Sequence, residues 1–271
     1  MENVLELIRA RRSVRTFDGK GLTEEEKAKL LAFASSIENP YGLKVEFRLL
    51  DTAEHGLSSP VIAGEKTYIG AKVAQTPHME EAFGYSFETL VLYAQSLGLG
   101  TTWIGGTMDR GLFERRMELG DGERMPCVSP VGHPAAKMSL RETVMRRGVK
   151  ADGRRSLSEL CFSGSFARPL AESEAGDLAE VLRAALRAPS AVNRQPWRIV
   201  VCGRDVHFYL KHSRGYVSEA TGDLQKVDLG IALCHFALAA EAVGLKARFI
   251  LADPGLEIPS DCEYIAGYTI E

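Results

Sequence analysis

Apolar and polar residues follow helical and strand-like periods that recur in the two halves of this chain. The first half shows helical periods and strand-like alternation over residues 3–11, 45–50, 67–73, 83–97 and 101–104. The second half repeats such patterns over residues 177–187, 198–201, 224–243 and 264–269. The pattern therefore predicts an α+β fold in which similar elements occur twice.

A capping box predicts the start of one further helix. Thr23 stands three residues before Glu26, a spacing in which each side chain can bond the other residue's backbone N–H. Residues 139–156, between the two sets of elements, are polar and show no sustained apolar period. We predict that this stretch is a connector, and that the two halves span residues 1–150 and 151–271.

Four short matches indicate that the second half is a copy of the first. Residues 34–39, 45–48, 92–99 and 127–132 align with 188–193, 199–202, 238–245 and 262–267, respectively. The order is preserved while the offset falls from 154 (188 − 34) to 146 (238 − 92) to 135 (262 − 127). A shrinking offset is expected if the second copy has lost loop residues. Duplication implies two halves that pack together as two subunits otherwise would.

Composition favours a compact enzyme over several other classes of protein. The chain has 271 residues, of which 45% are hydrophobic and 25% charged, enough to bury a sizeable core. A net charge of −3 argues against a nucleic-acid-binding protein. No apolar run approaches the roughly 18 residues of a membrane span, and the N-terminal residues lack the pattern of a signal peptide. Five widely spaced cysteines indicate reduced thiols in a cytoplasmic protein, and no histidine or cysteine spacing predicts a metal site.

A basic motif follows the first predicted helix. Arg11, Arg12, Ser13 and Arg15 place three guanidinium groups and a hydroxyl within five residues. Such groups bind a dianionic phosphate through charge-assisted, partly bidentate hydrogen bonds. The alternative is a solvated basic helix end, which the helix dipole also favours.

A second motif, residues 188–197, ends a predicted helix and leads into an apolar strand. Pro189, Ser190 and Asn193 combine short side chains with accessible backbone groups, which lets a planar ring approach the main chain closely. The alternative is a proline-containing turn whose Trp197 packs in the core. We expect Trp197 to serve mainly in packing.

Together the two motifs resemble those of the FMN-dependent nitroreductase family. The resemblance implies that Arg11, Arg12 and Ser13 bind the phosphate and ribityl end of FMN. It also implies that Arg15 lies near the N1 and C2 carbonyl edge of the flavin, where a positive charge stabilises the anionic reduced ring. Pro189, Ser190 and Asn193 would cover the flavin from the other half of the chain.

Two further segments resemble parts of the same family site. Gly105 and Gly106 follow a short buried stretch and resemble the turn whose backbone N–H groups point at flavin N5 and O4; a hairpin turn is the alternative. Arg154 and Arg155 resemble a second basic contribution to the phosphate site, although arginines in a polar connector are usually just solvated. The resemblance assigns no catalytic side chain, because FMN N5 is the reactive atom, and no metal ligand.

Each copy departs from the family pattern in one of its motifs. The first half has Asn39-Pro40-Tyr41 where the second motif would continue. The second half has Phe166-Ala167-Arg168-Pro169 where the basic motif would stand. We therefore expect one FMN per chain. No clear equivalent of the family's contact to the flavin pyrimidine ring occurs between residues 50 and 67, where Ser58 and Ser59 are weak substitutes.

The resemblance implies a nitroreductase-like α+β fold in two tandem degenerate copies, packed as a pseudo-dimer. It implies an FMN-dependent oxidoreductase that takes hydride from NADH or NADPH and reduces nitroaromatics, quinones or similar small planar acceptors. The alternatives are a flavin-binding or sensing protein without efficient turnover, and a specialised reductase or dehalogenase. We expect a small-molecule substrate and neither nucleic acid nor membrane as partner. A monomer that forms a pseudo-dimer is favoured, and a homodimer is the alternative.

Overall fold

The computed structural model of the chain describes residues 1–148 and 153–271, and the first segment forms an antiparallel sheet with flanking helices. Its helices are α1 (Val4–Ala10), α2 (Glu24–Ser35), α3 (Thr52–His55), α4 (Met79–Ser96), α5 (Arg110–Arg116) and α6 (Leu140–Gly148). Its strands are β1 (Val45–Asp51), β2 (Thr67–Ala74), β3 (Gly100–Thr101), β4 (Glu123–Arg124) and β5 (Val128–Gly132). The strand order is β1-β2-β5-β3, and β4 pairs with the end of β2.

The second segment forms another sheet. Its helices are α7 (Leu157–Leu160), α8 (Ala179–Leu186) and α9 (Leu224–Ala242). Its strands are β6 (Cys161–Ser163), β7 (Trp197–Cys202), β8 (Asp205–Lys211), β9 (Val217–Ser218), β10 (Gly222–Asp223), β11 (Ala247–Ile250) and β12 (Cys262–Ile270). The sheet order is β6-β7-β8-β12-β11, with β6 parallel to β7 and the other pairs antiparallel, while β9 and β10 form a separate hairpin.

The two sheets share one topology. The chain passes through β1, β2, α4, β3 and β5 in the first half, and through β7, β8, α9, β11 and β12 in the second. In the first sheet β5 lies between β2 and β3, and in the second sheet β12 lies in the same way between β8 and β11. Neighbouring strands of these two sets are all antiparallel. The α+β architecture expected from the sequence is confirmed.

Helices α4 and α9 cross at two glycines. A Cβ on Gly84 would lie 2.1 Å from the Val227 carbonyl oxygen, and a Cβ on Gly230 would lie 2.1 Å from that of Glu81. The offset of 146 residues found in the sequence relates Gly84 to Gly230 and Glu81 to Val227. The two close approaches are therefore reciprocal, because the offset maps each contact onto the other with its partners exchanged.

A second pair of contacts at this crossing obeys the same relation. Glu88 Oε1 lies 2.9 Å from His235 Nε2, and Thr89 Oγ1 lies 3.3 Å from Cys234 Sγ. The same offset relates Glu88 to Cys234 and Thr89 to His235. Both pairs join the first half to the second.

Most predicted elements are confirmed, with ends that shift by a few residues. The capping box forms: Thr23 Oγ1 accepts from the Glu26 backbone N–H, and the Glu26 carboxylate accepts from that of Thr23. Trp197 is fully buried, as expected. The predicted strand 101–104 is shorter than expected, because the ladder covers only Gly100–Thr101 and Ile104 adds a single bridge to Val128.

Residues 149–152 of the predicted connector lie outside the described part of the chain. The rest of the segment 139–156 contains a helix, which the sequence did not predict. Helix α6 occupies much of it, and the Ser139 hydroxyl accepts from the Glu142 backbone N–H at its start. The helix turns a carboxylate, Glu142, into the protein, and this side chain is 1% exposed. A polar contact of this kind leaves no apolar period in the sequence.

No helix in the two described segments is both long and apolar enough to cross a membrane. The cysteines, all within those segments, form no disulfide.

Candidate functional site

The basic motif leaves α1 as an extended segment beside β3. Arg11, the C-cap of α1, already has extended backbone angles. Ser13 then forms a parallel bridge with Thr101, and the Val14 N–H donates to the Thr101 carbonyl at 2.9 Å. This pairing ties the motif to the strand that leads into Gly105.

Arg11 is buried with unused hydrogen-bond donors. Its side chain is 5% exposed, and its Nε lies 3.6 Å from Glu88 Oε1. Neither Nε nor Nη1 has an acceptor among the described residues. Burial lowers the pKa of Arg11, while the charge of Glu88 opposes that shift. Buried guanidinium donors without acceptors are costly, and an anionic ligand would satisfy them.

Arg15 and Arg12 lie close to the carboxylate of Glu142. Arg15 Nη1 is buried without an acceptor in the described part of the chain, and burial lowers the pKa of Arg15 while Glu142 opposes that effect. Arg12 is half-exposed, with Nη1 4.0 Å from Glu142 Oε1. Thr16 Oγ1 donates to Glu142 Oε2 at 2.7 Å, which docks α6 onto the motif.

Arg146 is a site residue that the sequence did not reveal. It lies one turn after Glu142 on α6, and its positive charge lowers the pKa of both Arg11 and Arg15. Arg146 therefore acts on two guanidinium groups of the basic motif. Arg146 lies in a stretch without apolar periodicity, so the sequence did not predict the helix that places it near the basic motif.

A buried polar network joins the basic motif to the second half. Trp103 Nε1 donates to Glu88 Oε2 at 2.9 Å, and His235 Nε2 faces Glu88 Oε1 at 2.9 Å. His235 Nδ1 lies 3.1 Å from the Ala184 carbonyl oxygen. Glu88 and His235 are both fully buried. Sequence reasoning missed both, although an acid and a histidine within otherwise apolar helices are a visible signal.

The turn at Gly105 and Gly106 is held by Arg110. The Arg110 guanidinium donates to the carbonyl of Gly105 at 2.7 Å and to that of Met125 at 2.6 Å. A Cβ on Gly105 would lie 3.2 Å from Leu224 Cδ1, whereas one on Gly106 would meet nothing within 4 Å. The turn thus packs against the start of α9 through Gly105 and is open at Gly106.

The second motif has a strained backbone. Val192, Asn193 and Gln195 have φ values of 43°, 59° and 52°, in the left-handed region that non-glycine residues rarely adopt. Ser190 Oγ accepts from the Gln195 N–H at 2.9 Å. Such strain persists only where surrounding contacts fix it, and it is concentrated at functional sites.

Asp228 on α9 anchors this motif. Its carboxylate oxygens both lie 3.1 Å from the Ala191 nitrogen, whose N–H they accept. Burial raises the pKa of Asp228 well above its ordinary value. Asp228, another acid in an apolar helix, was not among the predicted site residues.

Arg154 and Arg155 contact the second motif. Arg154 Nη1 donates to Asn193 Oδ1 at 2.9 Å. The Arg155 backbone N–H donates to Gln195 Oε1 at 3.1 Å, and its guanidinium pairs with Glu159. Pro189 and Ser190 are half-buried beside them.

Helix α9 connects the predicted parts of the site. Leu224 contacts the Gly105 turn, Asp228 holds the second motif, and His235 reaches the basic motif through Glu88. Asp228 and His235 are two turns apart on one face of the helix, about 10.5 Å along its axis. Both motifs and the glycine turn therefore border the same helix.

The degenerate counterparts of the motifs have structural contacts. Asn39 Nδ2 donates to Ser86 Oγ at 3.1 Å, and its Oδ1 accepts from the Tyr41 N–H. Phe166 packs against Phe162 and Tyr209, with ring centroids 5.2 Å and 5.1 Å away. An aromatic cluster thus stands where a basic motif would lie in the second half. In residues 1–148 and 153–271, no group of three or more histidine, cysteine or acidic side chains could hold a metal ion.

Comparison with known proteins gives a family and a fold. A family model described as "Putative TM nitroreductase" matches residues 3–240. The structure of a "putative nitroreductase" from Thermotoga maritima is 21% identical, with a TM-score of 0.64 over 99% of this chain and 94% of that one. An oxidoreductase described as containing FMN is 16% identical, with a TM-score of 0.50 over 61% of this chain and 93% of its own. No curated protein matches the sequence.

Proposed function

Because the chain belongs to the nitroreductase family whose model matches residues 3–240, we propose that it is an FMN-dependent oxidoreductase. It takes reducing equivalents from NADH or NADPH and passes them to nitroaromatics, quinones or similar small planar acceptors. The observation that carries the proposal is the set of buried guanidinium donors on Arg11 and Arg15 that have no acceptor among the described residues. An FMN-containing oxidoreductase with the same fold supports the choice of cofactor.

The residues present fit the chemistry of FMN. A phosphate dianion would accept from Arg11, Arg12 and Ser13, and would offset the mutual repulsion of the arginines. Arg15 would place a positive charge at the pyrimidine edge of the ring. Backbone and short polar groups would be offered to the ring by Gly105, Gly106 and the 189–193 segment. Arg154 would support this segment through its hydrogen bond to Asn193.

The protein's own contribution to the chemistry is positioning and electrostatics. When bound, FMN would supply the two-electron hydride chemistry at its N5 atom. Arg15 would favour negative charge on the reduced ring. Gly106, where an added Cβ would meet no atom within 4 Å, would leave its backbone accessible to the ring. No acid or base side chain is required for hydride transfer.

We further infer that the chain is a duplicated, single-chain pseudo-dimer with halves at 1–150 and 151–271. The shared strand order and the paired contacts across Gly84 and Gly230 support duplication. The structural roles of Asn39 and Phe166 support a single FMN site per chain.

The proposal is tested on the purified chain in three steps. FMN titration should saturate at one per chain, anaerobic NADH or NADPH should bleach the bound flavin, and a nitroaromatic or quinone should restore its colour. Absence of FMN binding would overturn the cofactor assignment. Binding without bleaching by either nucleotide would overturn the enzymatic proposal and favour a flavin-binding protein without turnover.

A further inference from the structure

We propose that His235 and Trp103 act as positioning residues, which fix Glu88 so that Arg11 is held ready for the phosphate of the flavin. The phosphate site of the first half then depends on a side chain from the second half. This inference rests on the proposed FMN function and adds to it a buried network through which the two halves form one site.

The geometry fixes the carboxylate from two sides. Trp103 Nε1 donates to Oε2 of Glu88 and His235 Nε2 bonds Oε1, each at 2.9 Å. Glu88 is fully buried, so water does not compete for these positions. A carboxyl group held at both oxygens cannot rotate.

Arg11 is oriented by this fixed carboxylate. Its Nε lies 3.6 Å from Glu88 Oε1, too long for a strong hydrogen bond but close enough for ionic attraction. Arg11 Nε and Nη1 consequently keep unused donors inside the protein. The charge of Glu88 also counteracts the lowering of the Arg11 pKa by burial. The ion pair therefore keeps the Arg11 guanidinium buried while its Nε and Nη1 donors remain unused.

His235 links Glu88 to the second half of the chain by hydrogen bonds. Its Nδ1 faces the Ala184 carbonyl, which can only accept, so Nδ1 carries a proton. Nε2 is left to bond Glu88 Oε1, and this bond orients the carboxyl group. Ala184 belongs to α8, which leads directly into the second motif at Pro189. The segment expected to cover the flavin and the residue expected to bind its phosphate are thus joined through Ala184, His235 and Glu88.

The pseudo-symmetric contact provides a matched control. Thr89 and Cys234 meet at the same crossing of α4 and α9, at the positions that correspond to His235 and Glu88. Thr89 Oγ1 also bonds its own helix at the Tyr85 carbonyl. Replacing Thr89 perturbs the same helix pair without removing either anchor of Glu88.

The experiment compares the dissociation constants of FMN and riboflavin, which differ only in the phosphate. The variants are His235→Leu, Trp103→Phe, the conservative His235→Gln and the control Thr89→Val. Trp103→Phe removes an anchor of Glu88 without changing any charge. His235→Gln retains an amide that can bond Glu88.

His235→Leu and Trp103→Phe should each lower the preference for FMN over riboflavin by about fivefold or more, the worth of one hydrogen bond. His235→Gln should recover most of that preference, and Thr89→Val should keep it. An unchanged preference in folded Trp103→Phe would overturn the inference, as would an equal loss in Thr89→Val. Should His235→Leu fail to fold, Trp103→Phe carries the test alone. If wild type itself fails to bind FMN, the proposed function fails with it, whereas retained preference in the variants overturns only the positioning role.

Discussion

Individual charged residues set the balance of charge around the basic motif. Glu88 lies beside Arg11, and Glu142 lies between Arg12 and Thr16. Both carboxylates are buried, and each lessens the repulsion between neighbouring guanidinium groups. They have different consequences for a phosphate ligand, because Glu88 orients a buried arginine while Glu142 adds negative charge beside a half-exposed one.

Glu142→Gln should tighten FMN binding. The amide still accepts from Thr16 Oγ1, but the negative charge near Arg12 and Arg15 is gone. A partly screened charge of this kind is worth up to about 1 kcal/mol, or roughly fivefold in affinity. Titrations at low and high salt should show the gain shrinking as salt rises, with a smaller gain for riboflavin than for FMN. Weaker binding of both ligands would instead mean that Glu142 serves only to dock α6.

A second buried acid, Glu81, should make stability depend on pH. Its side chain is 3% exposed, and burial raises its pKa from 4.5 to about 7. The folded protein therefore holds a proton that the unfolded chain releases, so this group's contribution to stability falls as pH rises from 4.5 to 7. His78, Lys226, Glu80 and Glu263 face the same carboxyl.

Glu81→Gln should remove this penalty. The variant should match wild type near pH 4.5 and exceed it above pH 7, by at most about 3 kcal/mol. Urea unfolding of both proteins across that pH range measures the difference. A constant difference between the two proteins at every pH would show that Glu81 does not titrate with the raised pKa.

Among the secondary-structure elements, the crossing of α4 and α9 has the tightest steric constraint. Gly84→Ala would place a Cβ 2.1 Å from a backbone oxygen, and the helices can relieve this clash only by moving apart. We expect a loss of about 3 kcal/mol or more in unfolding free energy. Gly111→Ala in α5 is the control, since its Cβ would meet only two side-chain ends, at 3.4 Å and 3.9 Å. A similar melting temperature for both variants would contradict the close packing.

The sequence predicted elements better than it predicted contacts. Apolar periodicity located α4 and α9, and the Thr23–Glu26 spacing located the start of α2, because these signals are local. Helix α6 was missed because its docking depends on Glu142 and Thr16, which lie far apart in the sequence. The partners of Arg11 were equally hidden, since Glu88 and His235 reach it only after both halves have packed. Motif resemblance named the candidate site residues, but not the network behind them.

At the scale of the whole molecule, one chain contains both motifs of the proposed flavin site. Contacts between α4 and α9 and the bonds of Glu88 with His235 join the halves within the single chain. A tether raises the effective concentration of one half near the other to roughly the millimolar range. Pairing within the chain therefore has an advantage over exchange of halves between two copies.

We predict a monomer that binds one FMN. Light scattering of the FMN complex should give a mass near 29.7 kDa. Arg11→Ala and Asn193→Ala each damage a different motif, so chains carrying one or the other should each bind FMN poorly. Mixed and refolded together, they should stay poor binders if the halves pair within one chain. Recovery of about one FMN per four chains would instead show that halves exchange between copies, because random pairing gives about half mixed dimers, and each mixed swapped dimer joins one intact basic motif to one intact second motif.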